Sequence, residues 1–285
     1  MNPIKQKNVL IAAVIMFLVV MGIFYWRSAH RAAPKYRIAK KHVVPQPAKA
    51  KEPAPALLPV VQKKFASPKI VIVLDDFGYN KNNIDNLFSI HEPVTLSILP
   101  DLKYSGQIAA LAASHGYETI LHMPMEPHRN DVQEEVDTIR GGMTDREVIE
   151  RLDKGIKNIP GLRGMSNHMG SKATEDKALM TVVLTHLKSE KLYFFDSLTS
   201  QRSVCREVSS IVGIPYARRD VFLDNSEDIA SIEKQIMLLR RLAFRKGRAI
   251  AVGHDKKNTI IALAKMMPEM AREGVKFVSL SELEK

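Results

Sequence analysis

Ile70-Val71-Ile72-Val73-Leu74-Asp75-Asp76-Phe77-Gly78 decides how the rest of the chain is read: an apolar run of strand length that stops at two adjacent carboxylates and a glycine. A run without polar alternation fits a strand covered on both faces, as in a parallel sheet. Polar residues at its C-terminal end then lie on the edge where α/β folds place their chemistry. A single Asp there would most simply cap the next helix. Two in succession, followed by three later strands that end in His, point to metal binding or general-base work.

The strand pattern repeats downstream. Gly116 precedes Glu118-Thr119-Ile120-Leu121-His122, Gly161 precedes Leu162 to His168, and Gly213 precedes Ile214 to Asp220. Gly247 precedes Arg248 to His254, and Gly274 precedes Val275 to Leu280. A glycine just past a helix takes the left-handed conformation that closes the last turn, so each marks a helix-to-strand junction. Val94 to Leu99 and Leu192 to Phe195 complete a set of eight expected strands. Between them, Thr144-Asp145-Arg146-Glu147 reads as a capping box, Thr174 as the cap of a helix to about Glu190, and Ser226 as the cap of one to about Lys246. Strict strand-helix alternation over about 215 residues implies one α/β domain with a parallel sheet. We expect a distorted β/α barrel of about seven to eight parallel strands. In an open doubly wound sheet the polar strand ends would cluster at one switch point, whereas here they are spread over most of the strands.

The formal net charge of +11 is unevenly placed. From Arg27 to Lys69 there are 11 Lys/Arg against the single acid Glu52, while from Ile70 onward 29 basic residues face 30 acidic ones. The basic character therefore belongs to a short segment and gives no reason to expect nucleic-acid binding. One cysteine, Cys205, excludes an internal disulfide and a Cys-based zinc site, and reads as a buried small side chain.

The chain before Ile70 divides into three pieces. Residues 1–8 form a short tail with Lys5 and Lys7. From Val9 to Trp26 run 18 residues without a charge, enough to span a bilayer, with Tyr25 and Trp26 suited to the interface. A cleaved signal peptide is the rival reading, and no small-x-small site follows the apolar run. We expect an uncleaved transmembrane helix over 9–26, although the basic residues after it oppose placing the C-terminal part outside the cytoplasm. Residues 27–67 hold six of the fifteen prolines among Ala, Lys and Val, which makes a basic, extended linker with too little apolar surface to fold. The barrel domain then occupies 68–285. Nothing in the sequence sets an oligomeric state.

If the strands are parallel, their C-terminal ends gather Asp75, Asp76, His122, His168, Asp196, Asp220 and His254 on one face. Carboxylates and neutral imidazoles with an open position suit a divalent metal that acidifies a water into a nucleophile. Met123-Pro124-Met125-Glu126-Pro127 stiffens the chain after His122 and puts Glu126 nearby. Asn167-His168-Met169-Gly170-Ser171 offers an amide, an imidazole and a glycine that permits close backbone approach. Arg218, Arg219 and Asp220 read as a supporting ion-pair network. Asp76-Phe77-Gly78 lacks the companions of the kinase triplet, Gly164 to Lys172 has the wrong spacing for a phosphate loop, and neither H-E-x-x-H nor G-x-S-x-G occurs.

Asp75-Asp76, His122 to Pro127, Asn167 to Ser171, Phe195-Asp196-Ser197, Arg219 to Asp224 and Gly253-His254 together resemble the divergent polysaccharide deacetylase family of bacterial envelope proteins, over about Pro68 to Leu283. The resemblance implies a distorted β/α barrel, a domain outside the inner membrane, most simply periplasmic, and an envelope polysaccharide as substrate. It also implies removal of N- or O-acetyl groups with a divalent metal, most simply Zn²⁺. Carried over by position, Asp75 is the general base, Asp76 and His122 are metal ligands, and His254 is the general acid. The place of the family's second ligand histidine holds Glu126, so either His168 or Glu126 completes the metal set. Asn167, Asp196, Arg219 and Asp220 are carried as supporting residues. The altered ligand pattern also motivates a second reading, a non-catalytic glycan-binding or assembly protein on the same fold.

Overall fold

The apolar run forms strand β1 (Lys69–Phe77), hydrogen-bonded along its length in a wholly parallel sheet. The structure is a computed structural model that describes Met16, Val19, Met21, Trp26, Phe65 and residues 67–283 apart from 130 and 132. The expected transmembrane helix and linker lie outside the described residues, except for those few positions. Among the described residues no helix is long and apolar enough to cross a membrane. Of the expected helix over 9–26 only Met16, Val19, Met21 and Trp26 are described, so this absence does not extend to it. Val60–Lys285 forms a compact unit.

Within that unit β2 (Thr95–Ile98), β3 (Glu118–Met125), β4 (Gly164–Met169), β5 (Tyr193–Asp196) and β6 (Tyr216–Arg218) extend the sheet from one side of β1. On the other side lie β8 (Arg248–His254) and then β7 (Val221–Phe222), while β9 (Lys276–Phe277) pairs with the start of β1. The order is β6-β5-β4-β3-β2-β1-β8-β7. Helices α1 (Ile84–Leu87), α2 (Ser105–Ser114), α3 (Asp145–Asn158), α4 (Lys177–Ser189), α5 (Cys205–Val212), α6 (Ile229–Lys246), α7 (Lys257–Arg272) and α8 (Leu280–Leu283) fill the connections.

The order has a geometric consequence. β6 and β7 stand at opposite edges of the sheet, yet only Arg219 and Asp220 separate them in sequence. Three Cα steps of about 3.8 Å hold those edges within about 11 Å, so the sheet must curl on itself. The single strand expected over 214–220 is therefore two strands. Its first part pairs with β5 and its second with β8, and the chain itself closes the barrel.

Alternation along each strand divides the core in two. Ile70, Ile72 and Leu74 face outward into the layer shared with the helices. Val71 and Val73 face the barrel interior, where they meet Ile120, Tyr193, Phe195, Ile250 and Val252. Leu280 and Leu283 of α8 close the end where the strands begin. Burying each such side chain stabilises the fold by roughly 1.5–3 kcal/mol.

The local signals fare unevenly. The five glycines before the strands all have left-handed φ, from +74° at Gly213 to +97° at Gly274. The capping box starts α3, with the Thr144 amide donating to Glu147 (2.8 Å) and the Glu147 amide to the Thr144 hydroxyl (3.3 Å). The other two caps are corrected. Asp176 caps α4 while Thr174 sits in the preceding 3₁₀ turn, and Asp228 caps α6 while Ser226 lies ahead of it in the loop. In both places a carboxylate is within reach of the first turn, where an anion gains from the helix dipole as well as from the hydrogen bond.

Gly164 opens β4 beneath the Tyr193 ring, and a Cβ built there would lie 2.4 Å from a ring carbon. Gly164→Ala should destabilise the domain by roughly 1–3 kcal/mol, as overpacking of a filled core does. Denaturant unfolding of the variant beside the wild type reads this directly.

Candidate metal centre

The interior alternation that buries Val71 and Val73 carries on to Asp75, and likewise from Ile120 to His122, from Ser166 to His168 and from Val252 to His254. At the C-terminal end of the barrel the inward positions thus change from apolar to titratable. Asp76 ought to face the helices. Instead its φ is +66°, and the β1–β2 register slips between Leu74 and Phe77. This bulge brings its carboxylate back over the barrel mouth, so two consecutive residues reach one site. Met169 (φ +52°) and Leu198 (φ +52°) repeat the left-handed backbone at or just past the ends of β4 and β5. Both border the same cleft of about 400 Å³.

Asp76 Oδ1 lies 3.2 Å from His122 Nε2 and 3.0 Å from His168 Nδ1, and the two nitrogens are 3.2 Å apart. Asp76, His122 and His168 are a group able to hold a metal ion. Two imidazole nitrogens and a carboxylate oxygen this close suit a divalent ion with ligand distances of about 2.0–2.2 Å, with further positions left open toward the cleft. Burial works against an ionised Asp76, but the hydrogen bonds and charge of His122 and His168 outweigh it and hold its carboxyl far below the usual carboxylate range. Asp75 is the opposite case. Burial pushes its carboxyl up, with nearby His122 only partly offsetting this, and its Oδ1 is buried without a hydrogen-bond partner. Its Oδ2 stands 3.8 Å from His122 Nε2. The two neighbours are therefore split into one carboxylate held ionised and one made basic, the separation of roles that acid-base chemistry needs.

His254 comes from β8, in register with Asp75, and its Nε2 is 3.8 Å from Asp76 Oδ2. Its other nitrogen, Nδ1, is 2.8 Å from Asp224 Oδ1. Asp224 is not among the site residues read from the sequence. It is buried, it also accepts from the His254 amide (2.8 Å) and the Thr259 hydroxyl (2.7 Å), and it fixes the imidazole in place. Burial disfavours the charged imidazole, yet Asp224, Asp76 and Asp75 together raise the His254 pKa above its ordinary value.

The remaining expected residues are sorted by which way their strands face. Glu126 lies just past β3 and is engaged elsewhere, by Lys172 Nζ (2.7 Å) and the Gly141 amide (2.9 Å). It takes no part in the triad. Asn167 lines the cleft and ties two loops together, accepting from the Ser197 amide (3.0 Å) and donating to the Met169 carbonyl (2.7 Å). Asp196 follows Tyr193 and Phe195 out of phase, so it points away from the mouth, where it accepts from the Leu198 amide, Ser203 and Tyr216. Arg219 lines the cleft and donates to the carbonyls of Ser197 (2.8 Å) and Leu198 (3.0 Å). Asp220 precedes β7 rather than ending a strand, and it binds Lys246 (3.0 Å) and the Ile250 amide (3.0 Å) away from the site. Cys205 is buried, and burial pushes its thiol up, in keeping with a packing role.

The profile of the divergent polysaccharide deacetylase family matches residues 72–284, and the chain belongs to that family. An uncharacterized protein of Haemophilus influenzae is 32% identical over 219 residues, which make up 77% of this chain and 78% of that protein. Among solved structures, the uncharacterized protein ATU2773 of Agrobacterium tumefaciens C58 aligns with a TM-score of 0.74 at 24% identity, over 77% of this chain and 90% of that one. A mutant of BA3943, a CE4 family pseudoenzyme with restored enzymatic activity, aligns with a TM-score of 0.50 at 14% identity, over 77% and 68% of the two chains. At these identities the structural likenesses establish the fold.

Asp224→Asn, measured on metal-free protein, should lower the His254 pKa in an NMR titration, because the facing anion is removed. A raised folded-state His pKa contributes stability that is fully present below the ordinary value near 6.5 and is lost as pH rises through the folded value. The variant should therefore lose stability chiefly on the acid side of that window. An unchanged His254 titration would show that Asp224 does not set its charge.

Proposed function

We propose that the chain is a metal-dependent hydrolase that removes acetyl groups from an N- or O-acetylated envelope polysaccharide. The observation that carries this is the joint arrangement at the barrel mouth: Asp76, His122 and His168 within 3.2 Å of one another, with Asp75 and His254 each 3.8 Å from a member of that triad. Asp76, His122 and His168 would hold a divalent ion, and zinc suits two imidazoles and a carboxylate well. Such an ion supplies Lewis-acid polarisation of an acetyl carbonyl and lowers the pKa of water at the site. Asp75, with its carboxyl made basic by burial, takes the proton of the attacking water. His254, held by Asp224, delivers a proton to the departing amine or alkoxide. The cleft beside them, bordered by Leu198, Thr199, Phe222 and Asn225, receives the sugar.

The same reading puts the chain in the inner membrane by a single pass, with the hydrolase domain periplasmic. Its support is the 18-residue uncharged run before a proline-rich linker. A C-terminal reporter active only outside the cytoplasm tests it, and a cytoplasmic signal would remove the envelope substrate from the proposal.

Metal content of the purified full chain, beside Asp76→Ala, His122→Ala and His168→Ala, is the first test. About one ion per wild-type chain, lost in each variant, is expected of a three-ligand site. Asp75→Asn should keep the ion while acetate release falls by on the order of 10²–10⁴, the range for loss of a general base. A wild type that binds metal but releases no acetate from any acetylated glycan would transfer the site to a glycan-binding role.

A further inference from the structure

Below the mouth, the barrel interior is not uniformly apolar. Ser97 on β2 and Ser166 on β4 are both inward-facing and fully buried, and β3 lies between their strands. Their hydroxyl oxygens meet at 2.6 Å across the inside of β3. Ser166 Oγ is also 2.7 Å from Nδ1 of the buried His122, its register partner on β3. A belt of hydrogen bonds thus runs His122, Ser166, Ser97 across three adjacent strands, from the triad into the barrel wall.

Packing alone does not call for these hydroxyls. Neighbouring inward positions are filled by Val71, Val73, Ile120 and Val252, and small apolar residues would fill the same space. What the hydroxyls do is satisfy a nitrogen that would otherwise be buried without a partner. An imidazole whose Nδ1–H donates to a fixed acceptor keeps its Nε2 lone pair free, and such outer partners orient metal-binding histidines generally. The donation can continue without conflict from the Ser166 hydroxyl to Ser97 Oγ.

We propose that Ser166 and Ser97 are positioning residues that set the donor atom of His122, holding its proton on Nδ1 and aiming the bare Nε2 at Asp76 and His168. This rests on the reading of the triad as a metal site. It adds that the ligand His122 is held by a hydrogen-bond chain that reaches across the barrel wall to β2. The two serines act through His122 and touch no substrate.

The test is the zinc affinity of the full chain, read by competition with a chromophoric chelator, so that no turnover is needed. Ser166→Ala should bind Zn²⁺ about 10–100-fold more weakly, the usual cost of removing an outer partner from a ligand histidine. Ser97→Ala, which does not touch His122, should weaken it less but in the same direction. The double variant should lose little more than Ser166→Ala, since the two act as a unit. Ser166→Thr, which restores a hydroxyl, should recover much of the loss, and thermal unfolding of each variant separates lost affinity from lost fold. In zinc-loaded wild type the His122 ¹⁵N signals should show the proton on Nδ1. Wild-type affinity in a folded Ser166→Ala protein, or zinc bound through Nδ1, overturns the belt alone. A wild type that binds no zinc overturns the triad reading and this proposal with it.

Discussion

Consecutive residues of a strand point to opposite faces, and this site needs two consecutive carboxylates on the same face. The left-handed backbone at Asp76 resolves that conflict, and the arrangement of the centre depends on it. For a residue with a side chain such a conformation costs roughly 1–2 kcal/mol. The strain is held in place from below by the β1–β8 ladder, whose register runs unbroken from Lys69 to Asp75, and from above by His122 and His168, which face the turned carboxylate. Without the turn, Asp76 would lie among the helices and the triad would lack its anion.

The barrel interior is graded along its axis. At the closed end Leu280, Leu283, Val71 and Tyr193 exclude water. Further along the axis come the two serines, Ser166 level with His122, and then the rest of the acids and imidazoles at the mouth. Because the apolar layers lower the local dielectric, charges at the mouth act on one another more strongly than they would on an exposed surface. That is why two adjacent Asp residues diverge in proton affinity: one has two imidazoles against it, and the other has burial with a smaller counter-effect.

Much of this architecture is legible in the sequence. The apolar run, the glycine before each strand and the polar residues at strand ends lead to a parallel barrel and to Asp75, Asp76, His122, His168 and His254. Those residues do gather at one mouth, and the family suggested by the motifs is the family to which the chain belongs. The strand-end rule fails where it ignores phase. Asp196 falls one step out of the alternation set by Tyr193 and Phe195, and Asp220 precedes a strand instead of ending one. Asp224 goes unmarked because β7 has only two residues, too few for periodicity to register. Ser97 and Ser166 carry no signal at all, since a serine inside an apolar strand reads as filler until its partner across the barrel is known. Thr174 and Ser226 mislead as caps because a stronger acceptor, an Asp, stands a little further along each loop.

The two-residue crossover at Arg219 and Asp220 has a mechanical consequence. In a barrel laced all round by ladder bonds, any widening of the mouth breaks backbone pairs. Here β6 and β7 are joined covalently and are not paired with each other. Arg219 is tied to the β5 side and Asp220 to the β8 side, so the side-chain contact across that line is the Arg219 guanidinium over the Phe222 ring, 4.9 Å from its centroid. Both Arg219 and Leu198 border the cleft. The seam is thus a built-in expansion joint: the rim can widen there while Asp76, His122 and His168, on β1, β3 and β4, keep their spacing because β2 laces those strands into one continuous ladder.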